Sequence, residues 1–131
     1  MSEMENNGDL IRLRLPADPF SRQLIRLAVY LVASRMQFDL GQLEDLRIAV
    51  DEASNYTLEH TRNQSIIEVE IEPRREYLEV ILTSELDENG NARSVMPESF
   101  SRMIMECVLD DVKIQKEKGT CRIYLRKQRP S

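Results

Sequence analysis

Glu52 and Asn55 lie three positions apart in a segment of helical periodicity, so they stand on neighbouring lines of one helix. A carboxylate beside a carboxamide can take a proton from a hydroxyl and hold a divalent ion. Glu and Asn on a solvated helix face are also an ordinary surface pattern, and the two residues alone favour that plainer reading. The other reactive side chains point to packing. His60 is the one histidine and sits near a predicted helix end. Cys107 and Cys121 are expected at inward positions of a helix and a strand, where a thiol behaves as a small hydrophobe. Two distant cysteines and one histidine make neither a metal site nor a disulfide framework, so no metal is expected. There is no Walker loop and no nucleophile elbow.

The elements that must position these residues follow from periodicity. Ile11, Leu13 and Leu15 alternate with Leu10, Arg12 and Arg14, which predicts a strand with one solvated face. Asp18-Pro19 predicts a helix start, a carboxylate cap followed by a proline with no hydrogen bond to lose. Phe20, Leu24, Leu27 and Leu31 then predict its inward stripe, running to about Met36. Asp39-x-x-Gln42 resembles a capping box opening a second helix. Its core stripe is Leu43, Leu46, Val50, Ala53 and Thr57, and His60 and Arg62 are expected in its last turn.

The period then changes to two. Ile67, Val69 and Ile71 alternate with Glu68, Glu70 and Glu72, and after a turn at 73–76 Leu78, Val80 and Leu82 do the same. This predicts an antiparallel hairpin. Residues 85–96 are polar, contain Asn89-Gly90-Asn91, and predict a loop. Pro97 begins a third helix with Phe100, Met103, Ile104, Cys107 and Val108 expected inward. Val112 and Ile114 predict a short strand, Lys118-Gly119 a turn, and Cys121, Ile123 and Leu125 the last strand. The order β-α-α-β-β-α-β-β predicts an α+β, two-layer sandwich: a mostly antiparallel five-stranded sheet with three helices on one face.

With 131 residues, one domain over 9–128 is expected, preceded by a disordered tail at 1–8. Charged residues make up 31% of the chain and apolar residues 41%, a globular balance. A net charge of −5 is poorly suited to direct nucleic-acid binding and better suited to a basic protein partner. No apolar run is long enough to span a membrane, and Met1 to Asp9 lacks the basic and apolar regions of a secretory signal. A cytoplasmic location is expected.

Three segments resemble one family in order and spacing: Asp51-Glu52-Ala53, the run from Ile104 to Ile114 with Asp110-Asp111-Val112, and Gly119-Thr120-Cys121-Arg122-Ile123. The chain resembles the anti-sigma factors of the RsbW/SpoIIAB type from about Asp9 to Lys127. These are serine kinases of the GHKL ATPase superfamily, with the Bergerat (histidine-kinase-like ATPase) fold. The resemblance implies a protein that clamps a sigma factor away from RNA polymerase. An anti-anti-sigma factor, which such a kinase can phosphorylate on serine, relieves it. It also implies a homodimer through the sheet, to which exposed Leu10 and Ile81 could contribute, and a partner surface at Phe20 and Arg22, with Arg22 off the inward stripe and exposed.

The departures from that pattern bear on the chemistry. Active kinases carry E-A-x-x-N in the second helix, the Glu as base and the Asn on magnesium. Here Glu52 matches, Tyr56 stands at the Asn position, and Asn55 comes one position early, turned about 100° round the helix. The adenine loop D-x-G-x-G becomes Ser84-Glu85-Leu86-Asp87-Glu88, and the later G-x-G becomes Ser99-Phe100-Ser101. Side chains there obstruct the close approach of phosphate to backbone N–H groups. Glu52, Glu59 and Glu85 add negative charge, and the 85–98 span leaves scant chain for an ATP lid. Glu52, Asn55, Ser84, Ser99, Ser101 and Thr120 are thus the remnant nucleotide positions that the resemblance implies. The expectation is an anti-sigma factor working by sequestration, with no cofactor; ATP and magnesium belong only to a retained family site. The alternatives are an active serine kinase with Glu52 as general base, and an adaptor of this fold for another signalling partner.

Overall fold

A computed structural model of the chain describes residues 9–87 and 97–130; the expected tail at 1–8 and the Asn89-Gly90-Asn91 loop fall outside the described residues. In chain order the elements are β1 (Ile11–Pro16), α1 (Pro19–Arg35), α2 (Leu40–His60), β2 (Ile66–Pro73), β3 (Tyr77–Glu85), α3 (Glu98–Val108), β4 (Asp111–Glu117) and β5 (Thr120–Gln128). The strands form one sheet in the order β1-β2-β3-β5-β4. Every neighbouring pair is antiparallel. This is the α+β arrangement expected from the changes of period. Among the described residues no helix is long and apolar enough to cross a membrane.

The core lies between the helices and one face of the sheet. Ile67, Val69 and Ile71 of β2, Leu78, Val80 and Leu82 of β3, and Ile123 and Leu125 of β5 are all buried. Alternation forces this, because residues two apart share a face and those between them point to the opposite face of the sheet. Each such side chain contributes about 1.5–3 kcal/mol of transfer free energy. Leu43, Leu46, Val50, Ala53 and Thr57 of α2 meet them from the helix layer, together with Ala49 and Tyr56. The helix starts follow their capping residues. Asp18 Oδ1 accepts from the Phe20 N–H at 2.8 Å with Pro19 in the first turn. Asp39 and Gln42 close a reciprocal box at 2.8 and 3.0 Å. At the β4–β5 hairpin Lys118 (φ 50°) and Gly119 (φ 78°) are both left-handed, the two-residue turn that matches strand twist.

Two helices present faces other than those expected. In α1 the buried residues are Ser21, Ile25, Val29, Val32 and Ala33. The predicted inward stripe is instead the outer one: Phe20 is 61% exposed, Leu27 and Leu31 65% each, and Leu24 36%. Both stripes have helical spacing, so periodicity cannot choose between them. Compact and β-branched side chains face inward, where α1 packs against α2, and the Ser21 hydroxyl fixes the entry by donating to the Pro16 carbonyl at 2.6 Å. In α3 the buried residues are Ser101 and Met105, with Ile104 and Val108 half-buried. Phe100, Met103 and Cys107 face outward, correcting their assignment to the core. Arg62 follows the C-cap Thr61 and so lies beyond the last turn of α2.

Candidate functional site

α2 is flanked by α1 on one side and α3 on the other. Lines of residues four apart divide it into two flanks. Asp51 and Asn55 form the line towards α1. Arg26 Nε and Nη2 donate to the two Asp51 carboxylate oxygens at 2.9 and 3.0 Å, a bidentate pair, and Arg47 adds a contact to the same carboxylate at 3.2 Å. One turn on, Arg22 Nη1 donates to Asn55 Oδ1. Arg22 is therefore half-buried and anchored, where the sequence reading has it exposed.

Glu52 and Tyr56 lie one position further round. Tyr56 is 2% exposed and its hydroxyl donates to Glu98 Oε1 of α3 at 3.1 Å. The Lys116 ammonium of β4 binds the same Oε1 at 2.8 Å and stands 5.1 Å from the centre of the Tyr56 ring. Arg102 Nη2 donates to the other carboxylate oxygen, Glu98 Oε2, at 3.1 Å. Behind the ring His60 stacks with centroids 4.0 Å apart at 23°, and its Nδ1–H donates to the Tyr56 carbonyl at 2.8 Å. Three elements thus meet at one carboxylate.

The electrostatics of this cluster are coupled. Burial pushes the Tyr56 phenol above its ordinary value, with Lys116 opposing and Glu98 reinforcing the shift. Burial alone would raise the Glu98 carboxyl, but hydrogen bonds from Lys116 and Tyr56 and the charges of Lys116 and Arg102 outweigh it, so it lies below the ordinary range. Burial likewise opposes the Lys116 charge, and Glu98 and Tyr56 overcome it, holding the ammonium above its ordinary value. All three groups are held in the hydrogen-bonding form at neutral pH.

The remaining expected positions scatter. Glu52 is half-buried and makes no side-chain hydrogen bond or ion pair among the described residues. Ser84 is buried on the inner face of β3, directly opposite Cys121. Thr120 is opposite Glu85, one residue along, and so faces the other side of the sheet. Ser99 is exposed in the first turn of α3, and Ser101, two residues on, is buried towards the interior. Glu59 is half-buried, and Glu85 pairs with Arg62 at 3.3 Å in solvent. A cleft of about 550 Å³ opens beside Leu86, Asp87 and Gly119 and includes only Thr120 of the six expected nucleotide positions. A neighbouring cleft of about 480 Å³ reaches Ser84 and Thr120. Cationic Arg14, Arg62 and Lys118 along these clefts are matched by Glu68, Glu85 and Asp87, so neither offers a net charge to a ligand. Cys121 is buried and its thiol is pushed up to about 11, chiefly by burial, which leaves it unreactive. Among the described residues no group of three His, Cys, Asp or Glu could hold a metal ion.

Sequence reasoning missed Glu98 and Lys116. Glu98-x-x-x-Arg102 was a legible i,i+4 pair at a helix start. Lys116 had no local signal, because only the sheet order carries β4 alongside α3 and α2.

No family model matches the chain. Curated proteins do. Over 88% of this chain and 84% of the relative, it is 29% identical to the serine-protein kinase RsbW of Bacillus subtilis. It is 25% identical to the serine-protein kinase RsbW of Staphylococcus aureus over 88% of this chain and 85% of that one. Among solved structures, the RsbU and RsbW domains of Rv1364c from Mycobacterium tuberculosis match 95% of this chain with a TM-score of 0.71. At 12% identity that match concerns the fold, and the present chain spans 34% of that longer one. Similarity to these kinases over 88% of the chain, and a fold match over 95% of it, agree with the motif order along the sequence: over most of its length the chain is similar to RsbW serine-protein kinases.

Proposed function

We propose that this protein is a cytoplasmic anti-sigma factor that acts by docking a sigma factor, without ATP-dependent phosphoryl transfer. One observation carries the reading: position 56, the carboxamide position of the active kinases, holds a buried tyrosine engaged with Glu98 and Lys116. The one carboxamide nearby, Asn55, is turned to α1 and bound by Arg22. These residues do not fit a magnesium triphosphate. A phenol held protonated is a poor ligand for a hard cation, which takes oxygen ligands from carboxylates and carbonyls. Ser84 and Ser101 are buried, and Phe100 stands between the serines that replace glycine.

The partner surface is supported by α1. Phe20, Leu24, Leu27 and Leu31 form an exposed apolar ridge about three turns in length, a pattern that suits an amphipathic helix of a partner. The acidic chain favours a basic sigma region, and an anti-anti-sigma factor would release it by competing for the same ridge. A homodimer through the sheet belongs to the same proposal, with edge strand β1 and its exposed neighbour Leu10 as the contact.

The test is capture of the host's sigma factors by the purified, folded protein, with Leu27→Glu as the control. Wild type should retain one sigma factor, and Leu27→Glu should weaken that at least about tenfold while unfolding at the same urea concentration. Failure to retain any sigma factor would overturn the reading. The competing reading, an active serine kinase, is favoured by one feature: Glu52 is left without a side-chain partner among the described residues. Phosphate transfer to an anti-anti-sigma protein, abolished by Glu52→Ala, would establish it.

A further inference from the structure

α3 has weak local means of staying in place. It has only 11 residues, Pro97 at its N-cap offers no side-chain cap, and its buried side chains are Ser101 and Met105 alone. A helix of that length is marginal by itself in water. Its C-terminal end is secured separately, by the Lys127 ammonium on the Val108 carbonyl at 2.9 Å, with Asp45 of α2 pairing the same ammonium at 3.1 Å. At its first turn the fixed point is the carboxylate of Glu98, which receives the Tyr56 hydroxyl from α2, the Lys116 ammonium from β4 and Arg102 from α3 itself.

We propose that Tyr56, Glu98 and Lys116 form an intramolecular latch that holds the start of α3 against α2 and the β4–β5 hairpin. Its regulatory meaning rests on the ATP-independent reading above: the link between these three elements is made by the chain's own side chains and needs no nucleotide to form. The geometry suits a latch rather than a packing contact. Glu98 Oε1 accepts from two different elements at 3.1 and 2.8 Å, so displacing the one carboxylate at the start of α3 breaks both contacts at once. Lys116 also lies over the ring whose hydroxyl shares its acceptor, which couples the two contacts. Glu98 and Lys116 keep 36% and 37% of their side-chain surface in solvent, so the latch can open without unfolding the core.

Amide hydrogen exchange resolved along the chain tests this. Tyr56→Phe keeps the ring and leaves the sequence of α3 untouched, removing one hydroxyl. Exchange in the first two turns of α3 and at the facing end of β4 should quicken roughly tenfold, with β2 and β3 unchanged. Lys116→Met, at an exposed position, should give the same local pattern, and it serves if Tyr56→Phe does not fold. Combined with Glu98→Gln, either change should add little, since the acceptor is already altered. Unchanged exchange in α3 for both single variants would overturn the latch, as would a uniform rise over the whole chain. Millimolar ATP with magnesium should leave wild-type exchange as it is. Added protection of α3 by nucleotide would sink the ATP-independent reading, while the variants would still decide the latch.

Discussion

The two flanks of α2 carry similar residue types to different ends. Towards α1 a carboxylate and a carboxamide, Asp51 and Asn55, are held by Arg26 and Arg22. Towards α3 a glutamate and a tyrosine follow the same four-residue spacing, and there Glu52 has no side-chain partner among the described residues while Tyr56 is engaged with Glu98 and Lys116. One step along the helix, about 100°, separates the lines. That step decides whether an amide ties two helices together or faces the cluster on the opposite flank. The α1 flank is a fixed electrostatic seam, whereas the α3 flank is closed by an aromatic ring under a shared ion pair.

The sharpest way to break the contrast is Tyr56→Ala. Loss of a buried aromatic leaves a cavity between α2 and α3, and urea unfolding should show a cost of about 3–5 kcal/mol. A loss under about 1 kcal/mol would mean the ring does not close the α3 flank. Next comes Asp51→Ala, which strips Arg26 of its bidentate acceptor. Discounted for the solvent that reaches the pair, it should cost about 1–2 kcal/mol in the same measurement. Asn55→Ala should cost about 1 kcal/mol or less, and Asn55→Asp should restore most of it by giving Arg22 a charged acceptor. If the α1 seam depended on shape alone, the alanine and aspartate variants would behave alike.

The smallest effect is one of pH and belongs to the α3 flank. The Glu98 carboxyl is lowered in the folded protein, so its contribution is present above the ordinary glutamate range and lost as pH falls through the folded value. The stability difference between wild type and Glu98→Gln should therefore be constant near neutrality and shrink on acidification to below the ordinary glutamate range. A difference that grows with acid would contradict the sign of the shift.

Most of the architecture was legible from local rules. The strands of the central hairpin, both cap sites and the core stripe of α2 follow from period and capping residues, and all stand where expected. The faces of α1 and α3 were not. In α1 two apolar stripes compete, and the one with larger side chains is outside because close packing on α2 selects compact residues. In α3 the sequence runs Phe100, Met103, Cys107 outward past Ser101 and Met105, an inversion that only the neighbouring helix and strand impose. In the site, the substitution of tyrosine for the family's carboxamide was visible, but its partners were not.

By itself the sequence determined the elements, their order and the layer arrangement, because hydrogen-bond periodicity and apolar alternation act within a few residues. It also determined the offset of Asn55 from the family's position, since helix geometry alone sets that rotation. Only the tertiary structure decided which stripe of α1 meets solvent, that Arg22 is anchored to Asn55, and that Lys116, 60 positions beyond Tyr56 by residue number, shares its acceptor. Those outcomes depend on which surfaces approach closely enough to exclude water, and that is a property of the assembled layers rather than of any one segment.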